Sequence, residues 1–195
     1  MAGGGVSDED NREICKAFSL RELEDAVREM KNNTASRPDG FSLTVFKEFW
    51  DFVKMDILEM LNKLHMGELD LATLNYGVLA LIPKIKGVVK IKQYQHICLL
   101  NVVYKIITKV LTRRLMNVAS KIISESQTTF IPGRHILDRA LILHEVLHQL
   151  KITKHTKHKG IVPKLDFEKA YDKVNWKFLV EVLNMKGFAG KWISV

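Results

Sequence analysis

Apolar side chains recur at different spacings along this chain, and each spacing predicts an element. Leu20, Leu23, Val27 and Met30 repeat at the period of one helical face, so a helix is expected over about 19–31. Ser19 precedes it with Glu22 three positions on, a reciprocal cap in which the Ser side chain accepts from a first-turn amide and Glu22 reaches back. A second helix is expected from about Ser42 to His65, with Phe46, Phe49, Trp50, Val53, Ile57, Met60, Leu61 and Leu64 on its apolar face. Tyr76–Pro83 and Val88–Ile97 are rich in β-formers and flank a Lys86-Gly87 turn, which predicts a hairpin with a basic tip. Helices follow over 101–123 and 135–152, a strand over 160–167, and a short helix over 175–185 closed by Gly187. Between the helices, Asn32–Gly40 reads as a loop and Thr128–Gly133 as extended or turning.

Composition narrows the class. The 195 residues are 47% hydrophobic, enough for a core, and no apolar run reaches membrane-spanning length. The N-terminus lacks a basic segment followed by an apolar one, so it is no secretory signal. Cys15 and Cys98 lie far apart without metal-ligand spacing. Together these features predict a soluble intracellular protein, with residues 1–13 a disordered tail.

Charge changes the picture further. The net charge is +8 and its excess is localised. Every charged residue from Lys84 to Lys121 is a Lys or Arg, and Lys151–Lys164 again carries lysines and histidines without an acid. Such stripes serve contact with a polyanion, or simply a solvated face.

Candidate chemistry concentrates at Lys164-Leu-Asp-Phe-Glu-Lys-Ala-Tyr-Asp172. Asp166 ends an expected buried strand, where a carboxylate suits a divalent metal, although acids in that position also cap helices or pair with lysines. A second candidate is His144-Glu-Val-Leu-His148, a literal H-E-x-x-H on an expected helix. Its two histidines share a helical face, as in zinc peptidases, with Glu145 as base and Glu168 downstream as a possible third ligand. Against that reading, Leu141, Ile142, Val146 and Leu150 make the same helix amphipathic, and the histidines fit its flank.

Several segments in order resemble the reverse transcriptases of non-LTR (LINE-type) retrotransposons, in their plant-like branch. Arg37-Pro-Asp-Gly-Phe41 with Phe46, Phe49 and Trp50 is similar to a family turn and helix. Leu81-Ile-Pro-Lys84 resembles the finger strand, and Tyr94–Leu100 runs into Asn101-Val-Val-Tyr-Lys-Ile106 with Lys109, Leu111, Arg114 and Leu115 at family spacing. Ser126–Arg134 with Ile136 and Asp138 resembles the next block, and Leu165–Val174 with Trp176, Phe178, Leu179 and Met185–Phe188 the first palm motif.

The resemblance implies an α+β, mostly helical, right-hand polymerase fold, with fingers over 14–159 and the start of the palm over 160–195. It implies RNA-templated DNA synthesis with Mg²⁺ or Mn²⁺, an RNA template, a DNA primer and deoxynucleotides. It casts Asp166 as the first catalytic metal ligand, the Phe167 carbonyl beside the metal, and Tyr171 as the ring that excludes a 2′-hydroxyl by clash. Lys84, Lys90 and Lys92 would grip nucleotide or template. Lys105, Lys109, Arg113, Arg114 and Arg134 would contact nucleic-acid backbone.

Departures are also visible. Gln95 and His96 stand where relatives carry arginine and proline, and a neutral Gln cannot clamp a phosphate bidentately. Pro163 removes an amide from the strand before Asp166. Ser36-Arg37 replaces a glycine-containing approach to the turn. No adjacent Asp pair occurs in the 195 residues. The expectation is therefore a truncated domain without polymerase activity of its own, or a nucleic-acid-binding remnant.

Overall fold

The computed structural model describes residues 4–32, 40–70, 72, 74–131, 133–152, 162–165 and 173–194. They fall into two compact units, Arg12–Leu115 and a second that joins the residues up to Asn11 to Met116–Ile193. This division runs through the long helix over Val102–Ile122.

In the first unit, helix α2 (Leu20–Glu29) follows the last residues of α1 (Asp8–Ile14), whose start belongs to the second unit. Ser19, in extended conformation, caps α2 by accepting from the Glu22 amide at 3.3 Å. Leu23, Ala26 and Val27 are its buried stripe. The expected helix over 42–65 is two helices, α3 (Leu43–Glu48) and α4 (Trp50–Met66). Phe49, at φ −97° and ψ 25°, ends one and opens the other, with no glycine or proline to mark the break. α4 closes on Gly67 at φ 74°, where the Gly67 and Glu68 amides donate to Leu64 and Lys63. That left-handed cap is inexpensive only for glycine.

Strands β1 (Gly77–Pro83) and β2 (Tyr94–Leu100) pair antiparallel, with Gly77 opposite Leu100 and Pro83 opposite Tyr94. They make the sheet found among the described residues. The second strand starts later than Val88, because Val89 and Lys90 give their amides to the Gln93 side chain and Ile91–Gln93 forms a 3₁₀ turn. Helix α5 (Val102–Ile122) begins under Asn101, whose side chain accepts from the Tyr104 amide at 2.8 Å and donates to the Leu74 carbonyl at 2.7 Å. Val102, Ile106, Ile107 and Val110 of α5 join Phe18, Leu23, Ala26, Val27, Leu43, Ile57, Leu61 and Leu64 in one core.

The second unit contains the end of α5, α6 (Ile136–Ile152), α7 (Trp176–Met185) and α8 (Gly190–Ile193). Asn175 caps α7, and Gly187 at φ 85° closes it as expected. The expected burial of Leu141, Ile142 and Val146 on α6 is not found: all three are exposed, and α6 has no buried residue. The expected strand over 160–167 is likewise not seen where the chain is described. Val162–Leu165 is not in a strand, and Pro163 offers no N–H to a ladder. The Pro38-Asp39 turn and most of the 164–172 motif lie outside the described residues. Among the described residues no helix is long and apolar enough to cross a membrane.

Where a disordered tail is expected over 1–13, the described residues from Ser7 on are ordered. Ser7 accepts from the Asp10 amide while Asp10 accepts from both the amide and hydroxyl of Ser7, a reciprocal cap that starts α1. The segment is then strapped down. Val6 donates to the Lys186 carbonyl at 2.8 Å. Asn11 donates to the Gly187 carbonyl at 2.7 Å and accepts from the Ala189 amide at 2.8 Å. Lys121 meets Asp10 at 2.6 Å.

Asp10 is held down at about 2 from its ordinary 3.8, first by the Lys121 hydrogen bond and then by those from Ser7. A depressed carboxylate pKa stabilises the folded form above the unfolded value and loses that contribution as pH falls through the folded one. Amide protection at Val6 and Ala189 is therefore expected to hold at pH 5 and above, at roughly full strength, and to fade as pH drops from about 4 to about 2. Hydrogen exchange across that range checks it, with Asp10→Asn expected to remove the pH dependence.

Candidate nucleic-acid interface

The basic residues separate into three groups by what they touch. Arg114 is buried, at 6% exposure. It follows Ile106 and Val110 by helical steps of four, so its stem enters the core stripe of α5. All five of its N–H groups are used. Nε and Nη2 hold the two Glu22 oxygens at 2.6 and 2.7 Å, Nη1 donates to the carbonyls of Ile14 and Lys16, and Nη2 also to Ala17. The guanidinium lies 3.8 Å over the Phe18 ring. The expected phosphate contact by Arg114 is corrected on this ground, since no donor remains for a ligand. Glu22 is likewise revised: it holds Arg114 and does not reach back to its own cap.

Arg134 is the second internal cation. Its guanidinium donates to the carbonyls of Ser120, Ile123, Ser124 and Gln127. These carbonyls lie at the C-terminal end of α5 and just beyond it, where helix acceptors lack intrahelical donors and a cation also suits the helix dipole. The turn that brings it back has Phe130 at φ 66° and Gly133 at φ 76°. A backbone contact by Arg134 would cost this cap.

Lys109 and Arg113 form the second group. Lys109 lies 3.0 Å from Glu29, and Arg113 lies 3.3 Å from Glu29 and 4.0 Å from Asp25. The Lys109 hydrogen bond, with the charges of Arg113 and Lys109, lowers the Glu29 pKa. Both cations are partly neutralised by α2, yet remain part-exposed. Lys105, one turn earlier, is half-buried.

The third group is the connection between β1 and β2. Lys84, Lys86, Lys90 and Lys92 are all exposed on it. The chain has no Asp or Glu between Asp70 and Glu125, so no neighbour in sequence offsets them. A hollow of about 550 Å³ opens there, lined by Lys84, Ile85, Lys86, Val88 and Tyr94 among others. Gln95 sits opposite Ile82 and His96 opposite Leu81 on the adjoining rungs.

The remaining candidates form no site among the described residues. Asp166, Phe167 and Tyr171 lie outside the described residues, as does Glu168. His144, Glu145 and His148 are exposed on α6. Among the described residues no three His, Cys, Asp or Glu side chains converge as a metal site requires.

Residues 82–195 match the family model described as reverse transcriptase (RNA-dependent DNA polymerase). The chain is 30% identical over 190 residues to the transposon TX1 uncharacterized 149 kDa protein of Xenopus laevis. That alignment covers 97% of this chain and 14% of the frog protein.

Proposed function

The chain belongs to the reverse transcriptase (RNA-dependent DNA polymerase) family, and we propose that it comes from the LINE type and uses the β1–β2 connection to engage nucleic acid. The order of the motifs from Arg37 to Phe188 and the likeness to a transposon protein support the LINE type. The plant-like placement rests on motif order alone. The observation that carries the contact is the loop itself: four exposed lysines, two of which, Lys84 and Lys86, line a hollow, inside the matched segment and without an acid in the surrounding stretch.

Reverse transcriptases use divalent metal ions and join nucleotides along an RNA template. In this reading Asp166 supplies one metal ligand, the Phe167 carbonyl lies beside the metal, and Tyr171 closes the sugar pocket. Two metals about 4 Å apart need several carboxylates, and the described residues do not by themselves form such a site. The 195 residues taken alone bind template and do not extend a primer.

Fluorescence anisotropy with a single-stranded RNA over a salt series tests the contact. Replacing Lys84, Lys86, Lys90 and Lys92 by Glu is expected to weaken binding about a hundredfold and to flatten the salt dependence by about 2–3 in log–log slope, at ~0.7 per lost phosphate contact. An unchanged slope sinks the proposal. Primer extension with Mg²⁺ or Mn²⁺ that disappears in Asp166→Ala would show that these residues polymerise unaided, against the second half of the reading.

A further inference from the structure

The β1–β2 connection carries a second feature that charge does not explain. Between its lysines stand apolar side chains turned to water: Val89 is 88% exposed, Ile91 75% and Ile85 54%. Burying an aliphatic side chain is favourable in proportion to the apolar area taken from water, and this loop forgoes that three times within seven positions.

The loop is also braced. The Lys84 amide donates to the Gln93 carbonyl at 2.9 Å, which ties its two ends together. The Gln93 side-chain oxygen accepts from the Val89 and Lys90 amides at 3.0 and 2.8 Å. Gly87 turns the chain at φ 71°. Val89 is therefore presented at a fixed place on a turn whose backbone is hydrogen-bonded from inside.

A stiff apolar point ringed by cations fits one partner chemistry well. Lysines attract phosphates, and aliphatic side chains pushed between neighbouring bases take over part of the stacking surface that separates. Tyr94, half-buried at the rim of the same hollow, adds a flat ring. An acidic lipid surface shares the charge requirement, but interfacial binding grows with buried apolar area and three short side chains offer little.

We infer that this loop is a base-unstacking wedge for folded RNA: the lysines draw a structured strand in, and Val89 and Ile91 part adjacent bases. The inference rests on the nucleic-acid reading above and adds a melting activity to it. The wedge breaks no covalent bond and consumes nothing. Its driving force is binding free energy, so it shifts the opening of a base pair and cannot drive it to completion.

The test uses the whole 195-residue chain and an RNA hairpin carrying 2-aminopurine in its closing base pairs. Fluorescence is expected to rise on saturation as the base leaves its stack. Val89→Ser with Ile91→Ser alters only exposed positions and is expected to cut that rise about tenfold, while affinity for an unstructured uridine-rich RNA stays unchanged. Gln93→Leu, which removes the brace and keeps the lysines, is expected to lower the rise by a smaller factor. A rise that persists in the Val89/Ile91 variant overturns the wedge, and so does binding with no rise at all. Failure of the unmodified chain to bind either RNA overturns the nucleic-acid reading as well, which keeps the two failures distinct. Cosedimentation with phosphatidylserine vesicles that the same pair of substitutions abolishes, without any 2-aminopurine signal, overturns the wedge and assigns the loop to membrane surfaces.

Discussion

Arg114→Ala is expected to destabilise the Arg12–Leu115 unit by about 3–5 kcal/mol, the cost of removing one partner from a buried ion pair. The Arg114 and Glu22 side chains are 7% and 23% exposed, so the pair is better shielded from solvent than the other ion pairs among the described residues. Removing the guanidinium strands the Glu22 carboxylate and leaves the carbonyls of Ile14, Lys16 and Ala17 without their donor. It also empties the space over Phe18. Arg114→Lys should recover little, because an ammonium has three donors and no planar fork for two carboxylate oxygens. Glu22→Gln should cost less, since a neutral amide still accepts one of the two bonds. Urea unfolding followed by tryptophan fluorescence measures all three. Equal stability of Arg114→Ala and the unmodified chain would mean that the guanidinium does not fasten residues 14–18 to α5.

Ile106→Ala is expected to cost about 2–5 kcal/mol by loss of transfer energy plus the cavity left behind. Ile106 is fully buried, and it belongs to the same cluster as Leu23 of α2 and Leu61 of α4. Those helices come from distant parts of the sequence, so relaxation around the cavity would have to move whole elements, and the loss should fall in the upper half of the range. Ile106→Val, one methylene smaller, should cost about 0.5–1.5 kcal/mol. A lowered urea midpoint with an unchanged slope is the expected signature. A loss below that of Ile106→Val would show that the core closes around the gap.

Periodicity carried most of the helical elements, because their signals are local. Ser19, Asn175, Gly67 and Gly187 mark ends by chemistry that acts within a few residues, and the structure has caps at each. The break at Phe49 has no such marker, and the sequence pattern runs straight through it. Arg114 was misread for a different reason. Counting charge along α5 groups it with Lys109 and Arg113, whereas its helical register with Ile106 and Val110 places it in the core. Its carboxylate partner is 92 residues away, beyond the reach of any local rule. The helix at Asp8–Ile14 had a legible signal, Ser7 with Asp10 three positions on, masked by the glycines before it. Of the site, the turn at Lys86-Gly87 stands between two paired strands as the pattern put it, but the connection runs on to Gln93 and takes in Lys90 and Lys92, which the pattern put in the strand. The palm motif at Asp166 rests on its likeness to the family, since those residues lie outside the described ones.

The strap formed by Asn11 has a consequence in time. Its partners, Gly187 and Ala189, lie 176 and 178 residues further along the chain. At about 5–20 residues per second on a ribosome, roughly 10–35 s pass between the synthesis of Asn11 and that of the residues it holds. Throughout that interval α1 has only its own cap and contacts already made. The contact is among the longest in sequence that this fold makes, and contacts of that separation form last because loop closure precedes any reward. A nascent chain halted before residue 187 should leave Asn11 open to protease, and resumed synthesis should close it. Order of manufacture, as much as energy, then decides when the N-terminal helix settles.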